Sequence, residues 1–223
     1  MTTTATSGAA GSRLTLKPVV TIFEAYGSGA KDIGPKVADA LGLPYHPQAF
    51  SSEELEAQEE QREKDGIVTR VMEAMGTFSG HDALDVVFDQ QDRSQLVADN
   101  NRVVFASAEE GGVITGRNGA LILADHPAAL HVRLDGPAEK RIERAARDAG
   151  ISIDRAKKRQ RREDQIRADM SIQLYGWDPR LVDHYDLVLN TATLSDDVCV
   201  EIIVSALKAK TEPSSGASDP AGR

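Results

Sequence analysis

The sequence predicts an α/β domain in which a mostly parallel β-sheet is covered by helices on both faces. Two observations lead to this fold class. Short β-branched runs alternate along the chain with segments of helical periodicity, and the first such run is followed by a glycine loop and then a helix. The chain has 223 residues, enough for one sizeable domain of this kind and too few for two.

The first predicted elements lie between residues 19 and 45. Val19 to Phe23 is a β-branched run typical of a buried strand. Apolar residues then recur at helical spacing from Ile33 to Leu41, and Gly42 is expected to end this helix. The segment Leu43 to Tyr45 is expected to lead into a second, short strand.

The middle of the chain, residues 51–102, has a polar and helical pattern. Helices are predicted over 53–64, 67–75 and 83–97, with a break at residues 76–82. Val103 to Phe105 fits either the end of a helix or a brief strand. No motif identifies a ligand site here, and Arg70 and Arg93 are the candidate phosphate-binding arginines of this region.

Strands and helices alternate again in the second half. A helix cap is expected at Ser152 or Asp154. Predicted strands are Gly112–Gly116, His131–Leu134 and Tyr185–Leu189, and predicted helices are Ala138–Ala149, Asp154–Met170 and Ser195–Lys208.

The two ends of the chain are small and polar, which predicts disordered tails over residues 1–16 and 210–223 around a single domain at 17–209. No stretch reaches the roughly 18 apolar residues of a membrane span, and the start lacks the apolar core of a signal peptide. The lone cysteine, Cys199, lies in an apolar run and is expected to be a core residue. These features predict a cytoplasmic protein.

The formal net charge of −9 argues against broad nucleic-acid binding. The charge is uneven, because residues 51–65 are acidic and residues 140–167 are rich in arginine and lysine. A basic run inside an acidic protein either holds phosphates or forms a solvated helix face.

The glycine loop, Gly27 to Gly29, lies where α/β folds bind phosphate, because backbone amides and the helix dipole both point at an anion there. A plain turn between strand and helix also uses glycines. The Walker A pattern is not satisfied, since it needs glycine at Glu24 and lysine at Ala30, and the lysine comes one place late as Lys31.

The segment Gly27 to Ile33 resembles the cytidylate-kinase-like family, which replaces the Walker lysine and hydroxyl with a Gly-Ser-Gly-small-basic-acidic-Ile pattern. The similarity extends from Val19 to Leu207. It implies a P-loop NTPase-type sheet with a helical acceptor-binding insertion at 51–100 and a helical lid at 138–182. It also implies ATP as a substrate, with Mg²⁺ held mainly by the nucleotide.

The resemblance also implies roles for single residues. Arg117 follows the predicted third strand where the family has a Gly-Arg-Asp segment, so it would grip the acceptor phosphate, with Asn118 in place of the aspartate. Thr115 replaces an acidic residue at the end of that strand. The predicted catalytic residues are Lys31, Arg144, Arg162 and Arg167, and the predicted nucleotide-binding residues are Gly27, Ser28, Gly29, Ala30, Asp32, Arg117 and Asn118. No protein metal site is predicted, because the five histidines show no ligand spacing.

Three functions compete at this point. The first is an ATP-dependent kinase of CMP or dCMP. The second is a nucleotide-binding regulatory module that catalyses nothing useful, which Ala30, Thr115 and Asn118 favour. RNA binding through the basic segment is the third, opposed by the net charge and by the lack of interleaved aromatic residues. The expected partners are small-molecule nucleotides, with no membrane, and the oligomeric state is left open.

Overall fold

The computed structural model describes residues 16–49 and 90–212. These residues include a five-stranded sheet in which every pairing is parallel and the strand order is β2-β3-β1-β4-β5. The strands are β1 Val19–Glu24, β2 Tyr45–His46, β3 Gly112–Thr115, β4 Ala129–Asp135 and β5 Leu187–Asn190. The predicted α/β P-loop fold class is confirmed.

Six helices connect and cover these strands within the described ranges: α1 Ala30–Leu41, α2 Gln90–Glu110, α3 Gly119–Ile122, α4 Ala138–Ala149, α5 Ile153–Tyr175 and α6 Asp196–Thr211. Ser152 caps α5, because its side chain accepts a hydrogen bond from the amide of Arg155. Helix α6 continues two residues past the predicted domain boundary at 209. The predicted helices at 53–64 and 67–75, and Arg70, lie outside the described residues.

Val103 to Phe105 is neither a strand nor a helix end, because α2 runs through it to Glu110. Val104 is fully buried, whereas Val103 and Phe105 are 45% and 49% exposed. Successive helical residues point about 100° apart, so one member of an apolar triplet faces the core and its neighbours do not. The two valines and the phenylalanine of the triplet were therefore a misleading local signal.

The core has two parts, one on each face of the sheet. Val20 and Ile22 of β1 pack with residues of α1 and α6 in the larger cluster. Val19 packs on the opposite face with Val104 and Ala108 of α2. Cys199 is fully buried in the larger cluster, as predicted from its apolar run. This alternation along β1 is what a strand covered on both faces requires.

The carboxyl ends of the strands lie at one edge of the sheet, because all the strands are parallel. Glu24, Thr115 and Asp135 end three neighbouring strands there. Open α/β sheets bind ligands at this edge. Within the described ranges, no helix has the length and apolar character needed to cross a membrane.

Candidate functional site

The loop between β1 and α1 is shaped to let the protein's own groups approach closely. Gly27 and Gly29 both have positive φ, +79° and +88°. A Cβ at Gly27 would overlap the backbone carbonyl of Arg141 on α4, and one at Gly29 would overlap the guanidinium of Arg144. The packing of α4 on the loop therefore requires glycine at position 27, and the positive φ favours glycine at both positions.

The side chains of Ser28 and Ala30 face the interior of the protein. The hydroxyl of Ser28 donates to the carbonyl oxygen of Leu134 on β4 at 2.9 Å, and Ser28 is fully buried. Ala30 is also fully buried, in the core cluster beneath α1. These two residues can therefore contribute backbone amides to a ligand, while their side chains fix the position of the loop.

Glu24, the last residue of β1, contacts the loop in a way that the sequence did not predict. Its Oε1 accepts hydrogen bonds from the amides of Gly29 and Ala30 at 3.2 and 3.3 Å. Burial raises the pKa of its carboxyl, against the opposing influence of Arg167 and of these two amides. A carboxylate thus lies on the amides that begin α1, at the position where the Walker pattern has glycine.

Two cavities flank this carboxylate. The loop cavity, of about 490 Å³, is lined by the glycine loop, by Lys31 and Asp32 of α1, and by residues of β2, α4 and α5. A second cavity, of about 330 Å³, is lined by residues of α2 and α5 and by the turn after β3. Both are lined by Glu24, Gln48, Ala49 and Arg167, so the two cavities meet at these residues.

Arg167 on α5 is the cation at this junction. Its side chain is 10% exposed, and its Nη2 donates to Glu163 Oε2 at 3.0 Å and to Gln48 Oε1 at 3.4 Å. Its buried Nη1 has no hydrogen-bond partner among the described residues. Buried donors in folded proteins are nearly always paired, so the free donor of Arg167 indicates a place for a ligand oxygen.

Arg117 supplies the charge of the second cavity. It follows β3 in a turn where Arg117 and Asn118 both have left-handed φ, 57° and 55°. Asn100 holds this turn by donating to the carbonyl oxygen of Arg117 at 2.9 Å. The Arg117 guanidinium forms no ion pair within the described part of the chain, and burial lowers its pKa. A half-buried cation without a carboxylate partner favours an anionic ligand.

Asn118 makes structural contacts in addition to its predicted role in nucleotide binding. Its Oδ1 accepts from the hydroxyl of Ser171 at 2.6 Å and from Nε1 of Trp177 at 3.1 Å. Trp177 is buried, at 8% exposure. The contacts join the turn after β3 to α5, and they leave only the amide nitrogen of Asn118 for a ligand.

Arg144 lies over Gly29, but carboxylates already surround it. It forms a two-pronged contact with Asp196 at 2.8 and 2.9 Å and reaches Asp32 and Asp148 at 3.3 Å. Arg144 lines the loop cavity and also a third cavity of about 390 Å³ between α4 and the start of α6. Its charge is largely balanced by these carboxylates, whereas Arg117 has no such partner among the described residues.

The remaining predicted residues are dispersed. Lys31 is exposed at the mouth of the loop cavity and pairs with no described residue. Arg162 is half-buried on α5 and lines none of the three cavities, and neither does Arg93 on α2. Arg159, which the sequence placed only within the basic run, is 5% exposed and lines the loop cavity. The four-residue spacing of Arg159, Glu163 and Arg167 could have indicated one inward face of α5.

The predicted lid is tied to the loop by a buried network. Asp164 on α5 accepts from the amide of Tyr26 at 2.7 Å and from Arg141 Nη1 at 3.0 Å. The same Arg141 nitrogen donates to the carbonyl oxygen of Tyr26 at 2.7 Å. The loop, α4 and α5 are therefore held as one unit by Arg141 and Asp164.

A magnesium ion would find few protein ligands here. Across residues 16–49 and 90–212, no three histidine, cysteine or acidic side chains cluster so as to hold a metal. The residue after Ala30 is Lys31 rather than a hydroxyl residue, and Thr115 donates to Tyr45 at 3.3 Å. That a divalent cation is held mainly by the nucleotide stays a prediction.

Comparison with known proteins relates most of the chain to cytidylate kinases. The model of the cytidylate kinase-like family matches residues 19–193. A cytidylate kinase from Methanopyrus kandleri is 28% identical over 198 residues, covering 85% of this chain and 92% of that protein. A uronate isomerase from Corynebacterium glutamicum is 34% identical over 117 residues, but the match spans 52% of this chain and only 23% of that protein. The crystal structure of an uncharacterized protein from Eubacterium ventriosum shares the fold, with a TM-score of 0.60 at 16% identity, covering 86% of this chain and 99% of that chain.

Proposed function

Since the chain belongs to the cytidylate kinase-like family, we propose that it transfers the γ-phosphoryl group of ATP to a nucleoside monophosphate, CMP or dCMP being the first acceptors to test. One observation carries this proposal: the loop cavity, with Arg144 and Arg159, and the second cavity, with Arg117, meet at Arg167. The loop cavity would take the triphosphate at the start of α1. The second cavity would take the monophosphate against Arg117.

The chemistry needs positioning and positive charge more than covalent help. An oxygen of the acceptor phosphate attacks the γ-phosphorus, the bond to the oxygen that bridges the β and γ phosphates breaks, and ADP leaves. The free Nη1 of Arg167 lies at the cavity junction, where charge would develop on the transferred group. Lys31 adds charge at the mouth of the loop cavity. Magnesium, when bound with the nucleotide, neutralises part of the triphosphate charge.

The third cavity suits the nucleoside of the donor. It shares Gly27, Asp32, Arg144 and Asp148 with the loop cavity and is also lined by Lys140, Arg147, Thr191 and Ser195. Arg144 would separate the donor's base from its phosphates while orienting Asp32 through their 3.3 Å contact.

The test is coupled-assay turnover over a panel of nucleoside monophosphates, with calorimetric binding beside it. Arg167→Ala should lower kcat by roughly 100-fold, because a preorganised charge acts mainly in the transition state. Arg117→Ala should first raise KM for the monophosphate, because that contact also holds the ground state. Arg161→Ala, an exposed position on the same helix, is the matched control and should change neither constant.

Glu163 is fully buried beside Arg167, so Arg167→Ala leaves a carboxylate with a lost partner. Arg167→Lys keeps a charge there with a single donor group, and it should fold with a melting temperature near that of the wild type while still losing most of kcat. A wild-type protein that turns over no monophosphate in the panel above background would reject the kinase proposal.

A regulatory nucleotide-binding module is the second candidate. The observations that favour it are Ala30 in place of the usual lysine and the Glu24 carboxylate on the loop amides. Tight calorimetric binding of a nucleotide, with no turnover of any acceptor, would support this module over the kinase.

A further inference from the structure

The amides of Gly29 and Ala30 form the place where a loop of this kind binds an anion. In this chain that place already holds an anion, because Glu24 Oε1 lies 3.2 and 3.3 Å from the two amide nitrogens. Glu24 is the last residue of β1, so a rigid strand in the centre of the sheet holds its side chain at the loop.

One donor group of the cations near Glu24, Nη1 of Arg167, remains available to another ligand. Arg167 of α5 and Arg144 of α4 attract the charge of Glu24, and Tyr45 of β2 lies on the same side. Glu24 nevertheless forms no ion pair within 4 Å with a cation of the described residues, and its described hydrogen bonds go to the loop amides. Arg167 Nη1 is buried and unpartnered at the junction of the two cavities, and Glu24 forms part of the same junction.

A small free anion would gain little in this site. To reach the amides it must replace a carboxylate that is already hydrogen-bonded there, and it would otherwise place its charge beside that of Glu24 in a partly buried site. A nucleotide would have further contacts to offset this cost, since its nucleoside would reach the third cavity, which shares Arg144 with the loop cavity.

We propose that Glu24 is a built-in competitor for the phosphate position of the loop and so determines which anions the loop accepts. A phosphate group reaches the two amides only when the carboxylate has left them. Nucleotides with contacts in the neighbouring cavities are accepted, and inorganic phosphate and pyrophosphate are excluded. This proposal rests on the loop being the phosphate site of the proposed function, but it does not require turnover.

The experiment is calorimetric titration with pyrophosphate in the absence of a nucleoside. Glu24→Ala removes the competitor and should bind pyrophosphate about tenfold or more tightly than the wild type. Glu24→Gln keeps the shape and removes the charge, and it should show a smaller gain in the same direction. Asp39→Asn makes the same charge change on an exposed position at the other end of α1 and should bind like the wild type.

Pyrophosphate affinity that is unchanged or weaker in both Glu24 variants would overturn the proposal, and so would an equal gain in Asp39→Asn. If Glu24→Ala fails to fold, the pyrophosphate affinity of Glu24→Gln still tests the proposal. Turnover assays separate this proposal from the kinase function. A gain in pyrophosphate affinity without turnover rejects the kinase alone, whereas turnover without that gain rejects the role of Glu24 alone.

Discussion

Glu24 places an acidic group in a half-buried position, and the pH dependence of stability follows from that. Its folded-state pKa is raised above the ordinary value of 4.5, mainly by burial. The folded state therefore holds the proton more tightly than the unfolded state. Protonation of Glu24 therefore stabilises the folded state. This stabilisation is complete when the pH is below the pKa of Glu24 in the unfolded chain, and it is lost as the pH rises through the pKa of Glu24 in the folded protein.

Glu24→Gln should accordingly melt at a higher temperature than the wild type at pH 7.5, because it removes a charge that burial disfavours. The difference should shrink as the pH falls toward 4.5. Thermal denaturation at several pH values measures it, with the exposed Glu143→Gln as a control that should show no such trend. This account would be contradicted if the melting temperature of Glu24→Gln, measured against the wild type, were lower at pH 7.5 than at pH 5.

Arg117 combines a strained backbone with a binding side chain, and two substitutions can separate these. Its φ of 57° is easier for glycine than for any residue with a Cβ. Arg117→Gly should therefore be more stable than Arg117→Ala by about 1 kcal/mol. Both variants should lose monophosphate affinity equally, because both lack the guanidinium. Chemical denaturation and calorimetry measure the two effects, and unequal losses of affinity would show that the turn itself positions the ligand.

Helices α4 and α5 are joined to the loop through Asp164 rather than through their exposed arginines. Asp164→Ala would leave the buried Arg141, whose side chain is 9% exposed, without its 3.0 Å partner. We expect a loss of about 2 kcal/mol in the free energy of unfolding, as for losing a hydrogen bond to a charged group, because Arg141 keeps Asp135 as a second carboxylate partner at 3.5 Å. Denaturant titration measures it, beside Asp183→Ala at an exposed position. Equal stability of the two variants would mean that the loop and the helices are held together in another way.

The whole molecule should tolerate loss of both ends of the sequence. The segments Met1–Arg13 and Ser214–Arg223 are small and polar without periodicity, and they lie outside the described residues. Deleting both should leave the melting temperature nearly unchanged. A deletion that starts at Ala206 should lower it strongly, because it removes Leu207, which is 1% exposed in the core. A large drop on trimming only the ends would mean that they pack on the domain.

Most of the architecture of the described residues could be predicted from local patterns. β1 and α1 could be predicted because a β-branched run, a glycine loop and helical spacing of apolar residues are each visible in a few neighbouring residues. Val103 to Phe105 was harder to predict, since two valines and a phenylalanine in a row fit a strand until their burial is known. Within the candidate site, the sequence indicated Arg117 and Arg167, but their similar charge could not distinguish them from Arg144 and Arg162.

The sequence by itself determined the strand, loop and helix order and the family to which it corresponds, because these depend on residues close together in the chain. Only the tertiary structure decided how each site residue is used. Ser28 bonds Leu134 across 106 positions, and Tyr26 bonds Asp164 across 138. Such contacts depend on how the sheet edge and the helices converge, and no local pattern encodes that convergence. For the same reason Arg144 is balanced by carboxylates from α1 and α6 whereas Arg167 keeps a free donor at the cavity junction.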